Sequence, residues 1–365
     1  MLDTITRPTL LLDLEKMKSN IDFMVDKAHR LGVKLIPHFK THQSKEIGNY
    51  FSDRGIEAIT VSSVMMAEYF VANGWRDITV AFPFNRLETR VINDFLKQGV
   101  KVKLLVTDSD TVTFLAEHLH GTVDLFIELD TGYKRSGVST HTFDEIKTIA
   151  NEMAKSVKTN FYGLYCHPGN TYHEDSVEAI QSLWADSIKR MNQVRDGLMN
   201  LTKDLKIRMG DTPGCCVVED MSGVDEIGPG NFVFYDLVMN YLNVCKESDI
   251  AVAVACPVVA KHEGRKEIVI HGGAVHFSKD HLFDENEQKF FGEVVILEEK
   301  GWSAIIPHAK LISISQEHGI LKLSDKFFDT LKVGDVVGVL PIHSCLTANL
   351  MGEYFTFSGD QMEHM

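Results

Sequence analysis

Apolar residues recur at spacings of three and four from Leu14 through Met17, Ile21, Met24, Val25 and Ala28 to Leu31, which predicts one long amphipathic helix. Asp13 is placed to cap its start and Gly32 to end it. The pattern then switches to short β-rich runs at 33–36, 58–61, 77–82, 100–106, 123–130, 160–167 and 205–210, with a weaker one at 224–228. Helical patterns lie between them, among them 65–74 and the long stretch 174–200. Eight strand–helix units predict a closed parallel (β/α)8 TIM-like barrel, because each parallel step needs a crossover connection. An open doubly wound sheet competes with it. That fold usually carries a glycine-rich phosphate loop after its first strand, and here the position reads HFKTHQS.

From about residue 248 the texture changes. AVAVACPVVAKHE, KEIVIHGGAVHFS, GEVVILEE, AIIPHAKLISIS and VGDVVGVLPIHS are β runs with little room for helices, which predicts a separate C-terminal all-β domain. The opening RPTLLLDL is strand-like and could join it. The expected division is a barrel over 11–247 and a β domain formed by 1–10 plus 248–365.

Composition narrows the function classes. With 44% hydrophobic and 24% charged residues the chain reads as a soluble globular protein. A net charge of -14 argues against a nucleic-acid partner, since phosphate binding needs clustered Lys and Arg. No apolar run approaches the roughly 20 residues that span a bilayer, and the N-terminus has no signal-peptide pattern. The six cysteines show no disulfide-framework spacing, which fits reduced thiols in the cytoplasm.

Chemistry in such a barrel sits at the C-terminal strand ends. Lys40 follows the first strand between His38 and His42. Position alone leaves it open between a solvated surface lysine and an amine that forms a Schiff base. ELDTGYKRSGV brings Arg135 to another strand end, where its fixed fork suits an anionic oxygen, or it could simply decorate a capping loop. YCHPG brings Tyr165 and His167. GDTPG and GPGNF end the last two strands, where barrels commonly build a phosphate site. In PIHSCLTANL, residues two apart on a strand share a face, so His343 and Cys345 could bind one metal. Imidazole with thiolate suits Zn²⁺. Cys215 and Cys216 read as core or loop thiols.

Taken in order, TRPTLLLDL, PHFKTH, ELDTGYKRSGV, GLYCHPG, GDTP, PGNFVFYD, HFSKD, QEHG and PIHSCLTANL resemble the D-serine dehydratase-like family, fold-type III pyridoxal-phosphate enzymes with an alanine-racemase-like barrel. The resemblance implies Lys40 as the Schiff-base lysine, with the phosphate held at Thr212 and the Gly230–Asn231 turn near Tyr235. It also implies Tyr165 beside the cofactor ring, Arg135 near the phenolic oxygen, and His343 and Cys345 as zinc ligands. It implies a cytoplasmic homodimeric lyase that eliminates the β-hydroxyl of a D-amino acid such as D-serine, giving a 2-oxo acid and ammonia. A D-threonine aldolase is the main alternative, and a non-catalytic pyridoxal-phosphate protein a second. The chain departs from the family pattern at GDTP, at Gly228 before Pro-Gly, and at His271 and His276, where Asp and Lys are the expected residues.

Overall fold

The computed structural model describes residues 2–202 and 204–365. Its contacts divide the chain into two compact units. One comprises Phe23–Lys40 and Gly48–Gly230, the other Met1–Asp22, Thr41–Ile47 and Asn231–Met365.

In chain order the first strands are β1 (Thr9–Leu12), β2 (Lys34–Leu35), β3 (Ala58–Val61), β4 (Asp77–Pro83), β5 (Lys101–Val106), β6 (Val123–Asp130), β7 (Val138–Ser139), β8 (Thr159–Cys166), β9 (Lys206–Met209), β10 (Glu226–Ile227), β11 (Val252–His262) and β12 (Glu267–His271). In the unit 23–40 plus 48–230, eight of them form a sheet in the order β2-β10-β9-β8-β6-β5-β4-β3, with every pairing parallel. A parallel bridge from His38 to Thr60 then links the two ends of that order, giving the expected barrel. The formal β2 is two residues long because Pro37 has no N–H to donate. Its carbonyl still takes the Thr60 amide at 2.9 Å, so the ladder continues past the proline.

The barrel interior is not wholly apolar. Arg208, fully buried on β9, donates from Nε to Glu226 at 2.7 Å and from Nη1 to Thr79 at 2.7 Å. The other Glu226 oxygen accepts from Tyr162 at 2.7 Å. A charge pair taken out of water is tolerable only when hydrogen bonds satisfy it in this way.

The predicted first helix is Leu14–Leu31. Asp13 Oδ1 accepts the Glu15 and Lys16 amides at 3.1 Å, and Gly32 ends it at φ +68°. In the second unit a mainly antiparallel sheet runs β12, His318–Lys322, Lys310–Ile314, Gly292–Val295, Val336–Pro341, β11, β1, Glu353–Thr356, Gln361–Glu363. The N-terminal β1 does join this sheet, antiparallel to β11 and parallel to Glu353–Thr356. Its three leucines, Leu10, Leu11 and Leu12, are essentially fully buried. Short helices at Ala274–Phe277, Asp325–Thr330 and Ser344–Met351 interrupt the strands. Among the described residues no helix is long and apolar enough to cross a membrane, and all six cysteines are free thiols.

Candidate active site

Lys40 lies on a single 3-10 turn, Phe39–Thr41, just past the C-terminal end of β2. Phe39 fixes that turn. It is fully buried against Phe70, Trp75 and Phe51, with ring centroids 5.0, 5.1 and 5.2 Å away. Its two neighbours in sequence, His38 and Lys40, are thereby left at the barrel mouth, Lys40 exposed. His38 Nδ1 accepts the Lys40 amide at 3.3 Å, closing the turn. Burial, followed by the charges of Lys40 and Arg135 and the nearby His167, lowers the His38 pKa well below its ordinary value. His167, whose Nδ1 contacts the Gly210 carbonyl, falls to about 3, chiefly through burial and then Arg135. Both rings are therefore neutral near pH 7, and Lys40 and Arg135 supply the positive charge.

The rest of the barrel mouth is built for close approach. Tyr165 is buried at the end of β8, edge-on to Phe126 at 5.9 Å, and burial raises its pKa well above the ordinary phenol value. A Cβ added to Gly210 would come within 3.2 Å of the Tyr165 hydroxyl, and one on Gly228 within 3.4 Å of the Ile36 carbonyl. A side chain at Gly210 would press on Tyr165, while one at Gly228 would make ordinary contact, and both glycines keep the backbone open to close approach. Arg135 stacks over Tyr133 at 5.5 Å. The Thr212 amide donates to the Tyr172 hydroxyl at 3.2 Å. Beside it Asp211, fully enclosed, accepts from Trp184 at 2.6 Å, Thr171 at 2.9 Å and the Gly214 amide at 2.6 Å. Burial nevertheless lifts its pKa to about 6. An amine, a cationic fork and a backbone open to close approach at strand ends fit a phosphorylated carbonyl cofactor.

Lys40, Arg135, Tyr165, Thr212 and Gly230 belong to the barrel unit. Asn231, Tyr235, His343 and Cys345 belong to the β unit. There Asn231 donates to Asp236 at 2.6 Å, Ser344 at 3.2 Å and Cys345 Sγ at 3.7 Å. Tyr235 is buried at φ +49°, an unusual conformation for a bulky residue.

The β-strand basis for pairing His343 with Cys345 is corrected by the fold. The strand ends at Pro341, and His343 is the N-cap of the helix Ser344–Met351. Asp236 Oδ2 accepts the Ser344 amide at 3.0 Å at the start of that helix. The two side chains meet all the same. Burial disfavours the His343 imidazolium, but its bonds to Asp280 and Cys345 outweigh that and raise its pKa to about 11. Asp280 Oδ2 lies 2.7 Å from His343 Nδ1, and Cys345 Sγ is 3.4 Å from the Thr41 hydroxyl. A carboxylate behind an imidazole, with a thiol beside it, is a soft transition-metal donor set with its histidine already oriented. Asp280 went unsingled in the sequence, although it ends the motif HFSKD. Arg208 and Glu226 were missed too, since a charged residue inside a short strand run reads there as solvent-facing.

Residues 12–237 match the family model "Alanine racemase, N-terminal domain", and residues 251–357 match "Putative serine dehydratase domain". The chain is 26% identical to D-threo-3-hydroxyaspartate dehydratase of Delftia sp. strain HT23, covering 98% of this chain and 95% of that one. The solved structure of that enzyme superposes with a TM-score of 0.92 over 100% of this chain and 98% of its own. A cysteine-to-alanine variant of the same enzyme is known in a metal-free form. D-serine dehydratase of Dictyostelium discoideum is 25% identical, with 98% and 95% coverage. 3-hydroxy-D-aspartate aldolase of Paracoccus denitrificans strain Pd 1222 is also 25% identical, with 98% and 90% coverage. A racemase-type barrel model over more than half the chain, followed by the dehydratase model, shows that the protein belongs to the D-serine dehydratase-like family of pyridoxal-phosphate-dependent lyases.

Proposed function

We propose that the protein eliminates the β-hydroxyl of a D-β-hydroxy-amino acid, yielding a 2-oxo acid and ammonia, with pyridoxal phosphate and Zn²⁺ as cofactors. The observation that carries this reading is Lys40, held on a rigid turn beside Arg135 and two neutral histidines at a barrel strand end. Pyridoxal phosphate supplies the electron sink that makes the substrate Cα–H acidic. Lys40 Nζ is the covalent anchor and then the base for the Cα proton. Arg135 would offer its fork to the cofactor's phenolic oxygen, and Tyr165 would serve the ring. Thr212, the Gly230–Asn231 turn and Tyr235 serve the phosphate. His343 and Cys345 would hold the zinc, with Asp280 orienting the imidazole, and the metal would supply Lewis acidity toward a β-hydroxyl.

In this reading residues 11–247 bind the cofactor, and 1–10 plus 248–365 carry the metal. The enzyme works on a small-molecule D-amino acid as a cytoplasmic homodimer. Aldol cleavage is the second reading, favoured by the likeness to the hydroxyaspartate aldolase. Against it, a thiolate at position 345 suits zinc better than the hard ions that a carboxylate would select.

The test begins with protein loaded with both cofactors. Its visible absorbance should change on adding D-serine or a β-hydroxy-D-aspartate, and prior treatment with a chelator should suppress turnover. Borohydride reduction followed by peptide mapping should mark Lys40. Labelling of another lysine, or an absorbance that no D-hydroxy-amino acid perturbs, contradicts the reading.

A further inference from the structure

A second set of metal-type donors meets elsewhere in the β unit. His271 ends β12, His276 lies on the helix Ala274–Phe277, and Glu317 sits in the turn before His318–Lys322. His271 Nε2 is 3.4 Å and His276 Nε2 3.7 Å from Glu317 Oε2, and the three donor atoms all lie within 4.8 Å of one another. Zinc bonds of about 2.0–2.1 Å in a tetrahedron put neighbouring ligand atoms roughly 3.3–3.5 Å apart. The His271–Glu317 edge is already in that range, and small side-chain adjustments would bring in the other two.

The backbone under these residues is firmly tied. The Gly272 amide donates to the Glu317 carbonyl at 2.9 Å, Ala274 to Ser315 at 2.7 Å and Val275 to Gln316 at 3.2 Å. A Cβ on Gly273 would fall 2.4 Å from the Ser315 carbonyl, and one on Gly272 2.6 Å from Cys256 Sγ. The run HGGAVH therefore needs both glycines to bring its two histidines against the Glu317 turn. His271 and His276 border a cavity of about 380 Å³ shared with Arg7, Thr9 and Glu353, so the cluster can be reached. The Arg7 charge there is offset by Glu353 at 2.9 Å. These are also the two positions where the chain departs from the expected Asp and Lys.

We infer that His271, His276 and Glu317 form a second divalent transition-metal site, of the two-histidine, one-carboxylate kind that suits Zn²⁺. It is separate from the donors at His343 and Cys345. Binding has a specific local consequence. His276 Nδ1 accepts the Gly273 amide at 3.0 Å, which puts the ring proton on Nε2, facing Glu317. Coordination through Nε2 moves that proton to Nδ1 and releases the Gly273 amide. Without a metal, the same three side chains form only a carboxylate bridging two imidazoles.

Metal-stripped full-length protein titrated calorimetrically with Zn²⁺ tests this. Wild type should bind two equivalents per chain, Glu317→Gln and His276→Ala one each, and Cys345→Ala the other one. Selective ¹⁵N-histidine spectra should show His276 pass from the Nε2–H to the Nδ1–H tautomer on zinc addition. Should the His343–Cys345 reading fail, wild type would bind one equivalent, and Glu317→Gln would remove it. Unchanged stoichiometry in both Glu317→Gln and His276→Ala, or a His276 tautomer indifferent to zinc, overturns the second site.

Discussion

Histidine is pushed in opposite directions at the two places where this chain gathers its chemistry. At the barrel mouth, burial and then cationic neighbours hold His38 and His167 neutral, His167 at about 3. In the β unit, Asp280 and Cys345 overcome burial and raise His343 to about 11. Lys40 sits on the 3-10 turn Phe39–Thr41 that follows β2, and Cys345 on the α-helix Ser344–Met351 that follows Val336–Pro341. Both lie just past a strand end, and their neighbours decide what each can hold. Lysine and arginine among neutral rings suit an anionic, carbonyl-bearing cofactor. An imidazole backed by carboxylate and thiol suits a cation.

The sharpest way to break this contrast is Lys40→Ala, which removes the anchor and the base together. Loss of the base alone accounts for about 10²–10⁴-fold in rate, and the cofactor's absorbance should fall with it. Arg208→Met asks whether the barrel's charge arrangement extends inward, since it strands the buried Glu226. Urea unfolding should show a loss of about 3–5 kcal/mol, partly recovered in Arg208→Met/Glu226→Gln. Asp280→Ala tests the β unit in turn, and zinc affinity should drop about 10–100-fold while cofactor binding in the barrel stays unchanged.

The last effect, small per pH unit, concerns acid. His42, buried with Nδ1 accepting the Ser44 amide at 3.1 Å, is lowered by burial to about 3, as is His167. A depressed histidine stabilises the fold above its unfolded pKa of about 6.5. That contribution is lost as pH falls toward about 3, because the unfolded chain takes up the proton first. Each should add about 1.4 kcal/mol per pH unit to the acid slope of stability. His42→Asn, which keeps an acceptor for Ser44, should flatten the slope by that amount in urea titrations across the range.

The sequence made the barrel legible because short β-rich runs alternate with helical patterns and the first helix carries both signals, Asp13 and Gly32. It also exposed Lys40, since a polar cluster directly after a strand is conspicuous. What it hid was whatever depends on distant chain segments. His-x-Cys looked like a strand pair because the carboxylate that accepts the Ser344 amide at the helix start, Asp236, lies 108 residues away. Asp280 is 63 residues from the histidine it orients. Arg208 is inward-facing only because Glu226, Thr79 and Tyr162 wait inside the barrel. His38 and His42 each accept a backbone amide two residues ahead, from Lys40 and Ser44 respectively, and of the two only the His38 bond closes the Lys40 turn.

The central claim is elimination at a D-β-hydroxy-amino acid, and product analysis with the cofactor- and zinc-loaded enzyme tests it most directly. Across D-serine, D-threonine and β-hydroxy-D-aspartate, at least one substrate should yield 2-oxo acid and ammonia in equal amounts, with no glycine. Glycine plus an aldehyde, without ammonia, would contradict the account and leave an aldolase in its place.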